Sequence, residues 1–255
     1  MRNKIFFFSD AHLGSGSDTK RREKELCACL EAVSDKAEAV FLLGDIFDFW
    51  FTYREVVPRG YNRLLGKLAE MHDAGIDIHF FLGNHDMWMF DYLQEEIGAV
   101  MHSEPCYLKL CGRTVLLGHG DGLDPTDRKY AFIKGVFRNR INQRLFAAVP
   151  PAVSFALARR WSEASRKSHY NETTLSKTER ADAIFQYCET SWKQQPFDLA
   201  VFGHCHRQVC LPLAEGRAQY VNIGNWITER NYVVLSPDGV DLAQWVPDIE
   251  RPKKN

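Results

Sequence analysis

The sequence predicts a layered α/β protein carrying a helical insertion. Short runs rich in Phe, Val, Leu and Ile alternate with stretches of helical periodicity. Five of those apolar runs end in a cluster of Gly with Asp, His or Asn. Between the fourth cluster and the fifth, roughly 70 residues read as helices where a short connection would suffice.

The elements follow in order. The aromatic run KIFFF at 4–8 reads as a strand and leads into SDAHLG. A helix over 20–35 precedes the strand AVFLL at 39–43, which enters GDIFDFW. A second helix over 59–74 precedes IDIHFFL at 76–82, which enters GNHDMW. CYLKLCGRTVLLG at 106–118 reads as a hairpin turning near Gly112, and GHGD follows it. The insertion then reads as helices over 127–146, over 151–168 after the Pro150–Pro151 break, and over 177–193 behind the capping box SKTE. LAVF at 199–202 enters GHCH, and strands at 219–223 and 231–235 complete the pattern, with antiparallel pairing expected among the later strands. The division expected from this order is a core of 1–122 and 196–255 with a helical lid at 123–195.

At 255 residues and 45% hydrophobic content the chain can bury one sizeable core. No stretch approaches the ~18 apolar residues of a membrane span, and the four apolar residues before Ser9 are too few for a signal-peptide core. Seven cysteines without C-x-x-C spacing read as reduced thiols, so a cytoplasmic protein is expected.

Residues just past the carboxyl ends of strands gather along one crevice in open α/β sheets. The clusters therefore bring together Asp10, His12, Asp45, Asn84, His119, His204 and His206. These are carboxylate, amide and imidazole donors without thiolate, a set suited to Mn²⁺, Fe or Zn²⁺ and too large for one tetrahedral ion. Two ions sharing a carboxylate is the economical fit. In GHCH an extended exit from the strand would point His204 and His206 the same way and Cys205 the other, and Asp10 and His12 would follow the same rule. His72, His79, His102 and His169 lack such a context and read as hydrogen-bonded surface or core histidines.

The order D-x-H, G-D-x-x-D, G-N-H-D, G-H, G-H-x-H, running from Asp10 to His206, resembles the signature of the calcineurin-like metallophosphoesterases. The resemblance implies a four-layered sandwich of two mixed sheets flanked by helices. It implies one ion held by Asp10, His12, Asp45 and His206 and another by Asp45, Asn84, His119 and His204, with Asp45 bridging and Mn²⁺ the first expectation ahead of Fe or Zn²⁺. The chemistry of such a pair, with cations about 3.5–4 Å apart, is phosphate ester hydrolysis. His85 would protonate the leaving oxygen or stabilise equatorial charge, with Asp48 as its partner; the other reading of Asp48 is a turn-capping residue in IFDFW.

From Arg128 to Lys167 ten basic residues face one acid, Glu163, so this stretch carries +9 and the remainder −10 behind a net charge of −1. Tyr130, Ile133, Phe137, Ile141 and Leu145 recur among the cations at spacings of three and four, and Val153, Leu157 and Trp161 repeat the period. The pattern reads either as an amphipathic hairpin with solvated cations, or as a lid that grips an anionic substrate bearing hydrocarbon or rests on an anionic membrane surface. GDIFDFWF and GHGDGLDPTD resemble the metal blocks of the UDP-2,3-diacylglucosamine hydrolases of lipid A biosynthesis. That resemblance implies cleavage of a lipid-linked nucleotide sugar at its pyrophosphate, to UMP and 2,3-diacylglucosamine 1-phosphate, by an enzyme peripheral to the inner face of the cytoplasmic membrane. Asp127 and Tyr130 match positions contacting the glucosamine end; Lys134 and Arg138 would meet the anion, and Arg166, Lys167 and Asn171 would contact phosphate or sugar. His85 stands where the best known members of that branch carry Arg. A nuclease or another phosphodiesterase is the nearest alternative, but large interleaved apolar residues fit acyl chains better than nucleic acid, whose bases stack on exposed aromatics. A catalytically silent binding module would be favoured by a lost ligand, and none is lost.

Overall fold

The computed structural model describes residues 2–157, 160 and 183–247. Strand β1 (Lys4–Phe8) shows what organises the rest. Phe6 and Phe8 pack into one apolar cluster and Ile5 and Phe7 into another, so both faces of the strand are buried. A strand apolar on both faces must lie inside a sandwich.

The first sheet has the order β11-β10-β1-β2-β3-β4, with β2 (Ala37–Leu43), β3 (Asp77–Phe81), β4 (Val100–His102), β10 (Asn231–Ser236) and β11 (Gly239–Gln244). β1 to β4 are parallel, and β10 and β11 join antiparallel. The second has the order β5-β6-β7-β9-β8, with β5 (Cys106–Leu110), β6 (Arg113–Gly118), β7 (Leu199–Phe202), β8 (Val209–Leu213) and β9 (Ala218–Asn222). β6, β7 and β9 are parallel, and β5 and β8 are antiparallel edges. Phe41, Leu43, Val115, Leu117, Val201 and Val221 fill the space between the sheets.

Helices α1 (Thr19–Ser34), α2 (Asn62–Asp73) and α3 (Tyr92–Ile97) cover the outer face of the first sheet through Leu26, Leu30, Leu64, Leu68 and Leu93. Helix α6 (Ala183–Gln194) covers the second through Ile184, Phe185 and Cys188, packed with Leu116, Ala200 and Phe202. The result is four layers, helix, sheet, sheet, helix. α6 lies on the lid side of the boundary expected at 195/196, yet it serves as the outer layer of the core. Among the described residues no helix is long and apolar enough to cross a membrane.

The hairpin turns where expected, with Cys111 and Gly112 both at positive φ (49° and 76°), as a two-residue turn between twisted strands requires. The helix expected over 127–146 is instead two, α4 (Arg128–Arg138) and α5 (Arg140–Ala147). Asn139 breaks it: its backbone is extended (φ −70°, ψ 121°), and its side chain accepts the N–H groups of Ile141 and Asn142 to cap α5. Residues 151–157 are helical again. Short α3 and β4 and the edge strands β8 and β11 had no sequence signal; β8 contains Pro212, and β11 has no buried residue. Trp161, Arg166, Lys167, Asn171 and the SKTE cap lie outside the described residues.

Candidate metal centre

All five expected clusters open onto the same end of the sandwich, but not in the conformation expected. Asp10, His12, Asp45, His204 and His206 all have positive φ, between 42° and 69°. The exits are therefore left-handed turns, not extended chain, and simple alternation does not aim the side chains. Such backbone costs of order 1–3 kcal/mol per residue and persists only where surrounding contacts impose it. The Gly that precedes a ligand has a separate cause at two positions. A Cβ on Gly83 would lie 2.2 Å from Asp45 Oδ1, and one on Gly203 would lie 2.0 Å from Ser9 Oγ. The loops touch backbone to side chain, and only Gly permits that approach.

The turns gather three overlapping groups of donor atoms, Asp10/His12/His206, His12/Asp45/His85 and Asp45/His119/His204, each within 4.8 Å. His206 Nε2 lies 3.1 Å from Asp10 Oδ1 and 3.2 Å from His12 Nε2. Asp45 Oδ2 lies 3.3 Å from His119 Nε2 and 3.7 Å from His12 Nε2, so one carboxylate oxygen faces both histidine sets. Asn84 Oδ1 stands 3.3 Å from His119 Nε2. His119 Nδ1 donates to the Leu43 carbonyl at 2.8 Å, which turns Nε2 to the centre.

Two tests support cations here. Asp10 Oδ1 and His12 Nδ1 are buried without a hydrogen-bond partner although other donor atoms crowd them, an arrangement that costs free energy unless a charge compensates it. The donor set is oxygen and imidazole nitrogen throughout, the preference of divalent ions such as Mn²⁺ and Zn²⁺. The electrostatics agree. Burial alone would raise the Asp10 carboxyl, but the imidazoles of His206 and His119 hold it at about 2. Burial would likewise raise Asp45, yet His119 and His85 keep it well below the carboxylate range. Burial, reinforced by His85, drives His12 well below the usual imidazole value, so it offers a neutral ring.

His85 and Asp48 meet in a different way from the one expected. His85 Nδ1 donates to the Asp48 backbone carbonyl at 2.9 Å, while the Asp48 carboxylate lies 4.0 Å away and nearer to His12 Nδ1, at 3.6 Å. The His85 backbone N–H donates to Asp45 Oδ1 at 2.9 Å. Nδ1 is thus committed to the Asp48 carbonyl.

Sequence reasoning passed over Asp86, the last residue of GNHD. Its buried carboxylate accepts backbone N–H groups from Gly83 (2.8 Å), Ile46 (2.9 Å), Asp45 and Phe47 (both 3.3 Å), and so splices two ligand loops. Burial, with Asp45 beside it, pushes this acid up to about 7. Its place two residues past Asn84 was the available signal.

The lid residues divide. The Asp127 carboxylate caps α4 by accepting the Tyr130 N–H at 2.8 Å. The Tyr130 hydroxyl donates to Asp121 Oδ2 at 2.9 Å, and Lys134 Nζ lies 2.7 Å from the same oxygen. Arg138 pairs with Glu104 and donates to the Ser103 carbonyl at 2.9 Å. Lid and core enclose an apolar cavity of about 160 Å³, whose walls include Phe49, Trp88, Phe137, Phe146 and Leu157. Asp48, Asn84 and His85 also line it, so the cavity adjoins the donor cluster.

Comparison with known proteins follows the same line. The sequence model described as calcineurin-like phosphoesterase matches residues 3–208. A UDP-2,3-diacylglucosamine hydrolase of Porphyromonas gingivalis is 39% identical, covering 95% of this chain and 97% of that protein. Another of the same name from Serratia proteamaculans is 27% identical over 82% of this chain and 86% of its own. A solved archaeal phosphodiesterase shares the fold at a TM-score of 0.50 and 13% identity, covering 94% of this chain and 99% of that one.

Proposed function

Because the chain belongs to the calcineurin-like phosphoesterase family, a family of metal-dependent phosphoester hydrolases, we propose that it uses two divalent ions, Mn²⁺ foremost, to cleave the pyrophosphate of UDP-2,3-diacylglucosamine into UMP and 2,3-diacylglucosamine 1-phosphate. The observation that carries the reading is the apolar cavity walled by Trp88, Phe137, Phe146 and Leu157 and lined also by His85 and Asn84. A phosphodiesterase acting on small esters has no use for hydrocarbon space at that place. The relative from Porphyromonas gingivalis supports the same substrate through its name and its near full-length match.

Asp10, His12, Asp45 and His206 would hold one ion, and Asp45, Asn84, His119 and His204 the other. Bound together, such a pair supplies an acidified water and offsets the charge that builds on the phosphoryl oxygens. The remaining work falls to the chain. His85, oriented through Nδ1, presents Nε2 to the leaving oxygen and delivers its proton. Trp88 donates its indole N–H to the Phe137 carbonyl at 2.9 Å and so fixes α4 over the cavity, where an acyl chain excludes water. Each buried methylene contributes about 0.8 kcal/mol, so even partial burial of two chains positions the pyrophosphate with several powers of ten in binding.

The reading extends to the membrane. Phe132, Ile141 and Leu145 are 72%, 66% and 65% exposed, among Arg128, Lys129, Arg140 and Arg144. Apolar side chains between cations suit an anionic bilayer surface, from which a diacyl substrate is drawn.

The test compares the intact protein on UDP-2,3-diacylglucosamine, UDP-N-acetylglucosamine and single-stranded DNA. Turnover confined to the acylated nucleotide is expected. Equal rates on the acylated and unacylated sugars defeat the lipid reading, and salt-sensitive cleavage of DNA replaces it with a nuclease.

A further inference from the structure

The three members of one donor group, Asp10, His12 and His206, share a feature: residues outside every ligand block donate to their backbone carbonyls. The Trp226 N–H donates to the Asp10 carbonyl at 3.1 Å. The Arg22 guanidinium donates to the His12 carbonyl at 3.1 Å and to the Ser15 carbonyl at 2.5 Å. The Asn225 amide donates to the His206 carbonyl at 3.0 Å. The carbonyls of Asp45 and His119 are instead held from within the ligand blocks, by the N–H groups of His12 and Gly203 (both 2.9 Å).

The three anchors form one assembly. The Trp226 indole N–H donates to the Arg22 carbonyl at 3.3 Å, joining α1 to the segment after β9. Asn225 is oriented by Thr228, whose N–H and hydroxyl both donate to its Oδ1 at 2.9 and 3.1 Å, which leaves its amide nitrogen for His206. Arg22, Asn225 and Trp226 are buried, at 3%, 6% and 0% exposure. The anchored residues need such a hold, because all three are at positive φ. His206 needs it most: its side chain is 37% exposed, against 0% and 1% for Asp10 and His12, so packing restrains its ring least.

We infer that Arg22, Asn225 and Trp226 are positioning residues for one of the two ions, setting the affinity of the site formed around Asp10, His12 and His206 by fixing the carbonyls of its ligands. The inference rests on the two-ion reading above. Neighbours that orient metal ligands typically change metal affinity by about 10- to 100-fold when removed, and here the change falls on one ion only.

The test titrates Mn²⁺ into metal-stripped full-length protein by calorimetry and records the melting temperature of the stripped protein. Asn225→Asp keeps the shape and the acceptor for Thr228 but loses the donor to His206. Asn225→Ala removes the side chain without adding charge. Each is expected to weaken one of two Mn²⁺ binding steps about tenfold or more while the other stays within about threefold, even where the unpaired Thr228 groups lower the melting temperature of the stripped protein. Equal weakening of both steps together with a lower melting temperature assigns Asn225 to general structure and overturns the inference, as does an unchanged titration. A single step in the wild-type protein overturns the two-ion reading itself, a failure visible before any variant is made. Should Asn225→Ala not fold, Asn225→Asp decides.

Discussion

The Lys134 ammonium lies 2.7 Å from the Asp121 carboxylate and also donates to the Asp121 carbonyl at 3.0 Å, tying the first lid helix to the loop that carries His119. Asp121 is 8% exposed at its side chain and Lys134 17%, so the pair is largely desolvated. Lys134 thus anchors the lid in this structure, whatever contact it makes with substrate. Replacing it leaves a buried carboxylate without its cation. Lys134→Met is expected to cost about 3–5 kcal/mol in chemical denaturation, and a double-mutant cycle with Asp121→Asn should give a coupling above about 1 kcal/mol. Additive losses would remove the anchor role.

Chelation should abolish phosphodiester hydrolysis, and added Mn²⁺ should restore it. Asp45 faces both histidine sets and also receives the His85 N–H. Asp45→Ala should therefore lose both ions, read as metal per chain by elemental analysis. Retention of one full equivalent would show that Asp45 does not bridge.

His85→Ala should keep near-normal metal content while kcat falls about 100-fold or more, the range for one proton donor or electrostatic contributor. His85 also belongs to one donor group with His12 and Asp45. A fall in metal content would make it a ligand instead, and unchanged turnover would remove it from the chemistry.

A pH effect is expected away from the centre, at His79. Burial, with His102 beside it, lowers this imidazole to about 4, whereas an unfolded chain has it near 6.5. Between those values the unfolded state binds the extra proton, so stability rises with pH through that window. The contribution is present above pH ~6.5 and lost as pH falls towards ~4. Melting temperatures of wild type and His79→Gln should converge over that window; a constant difference would show that His79 does not titrate in it. Comparing the two proteins at each pH cancels any metal lost to acid.

Much of the centre was legible because its code is local. Asp10, His12, Asp45, Asn84, His119, His204 and His206 each follow an apolar run within a few residues, and the carboxyl ends of parallel strands must open on one side of a sheet. Asp86 escaped because accepting four backbone N–H groups is a property of two loops brought together, not of the tetrapeptide that contains it. The break at Asn139 escaped because apolar periodicity continues across it, and only the extended backbone and the side-chain cap end α4 there.

By itself the sequence determined the principal strands of the two sheets, the oxygen and imidazole donors that gather past their ends and the charge of the insertion, since these depend on composition and spacing over short stretches. The tertiary structure alone decided how the ligands are aimed. Left-handed turns rather than extended exits present them, and Arg22, Asn225 and Trp226 hold the carbonyls of Asp10, His12 and His206 across as many as 216 positions of chain. It also decided that Lys134 turns to Asp121 and that Phe137, Phe146 and Leu157 close a cavity against Phe49 and Trp88. The physical reason is common to all of these. Positive φ, buried amides and apolar walls are stable only when distant segments supply the missing partner, and no local pattern of residues records which segment that is.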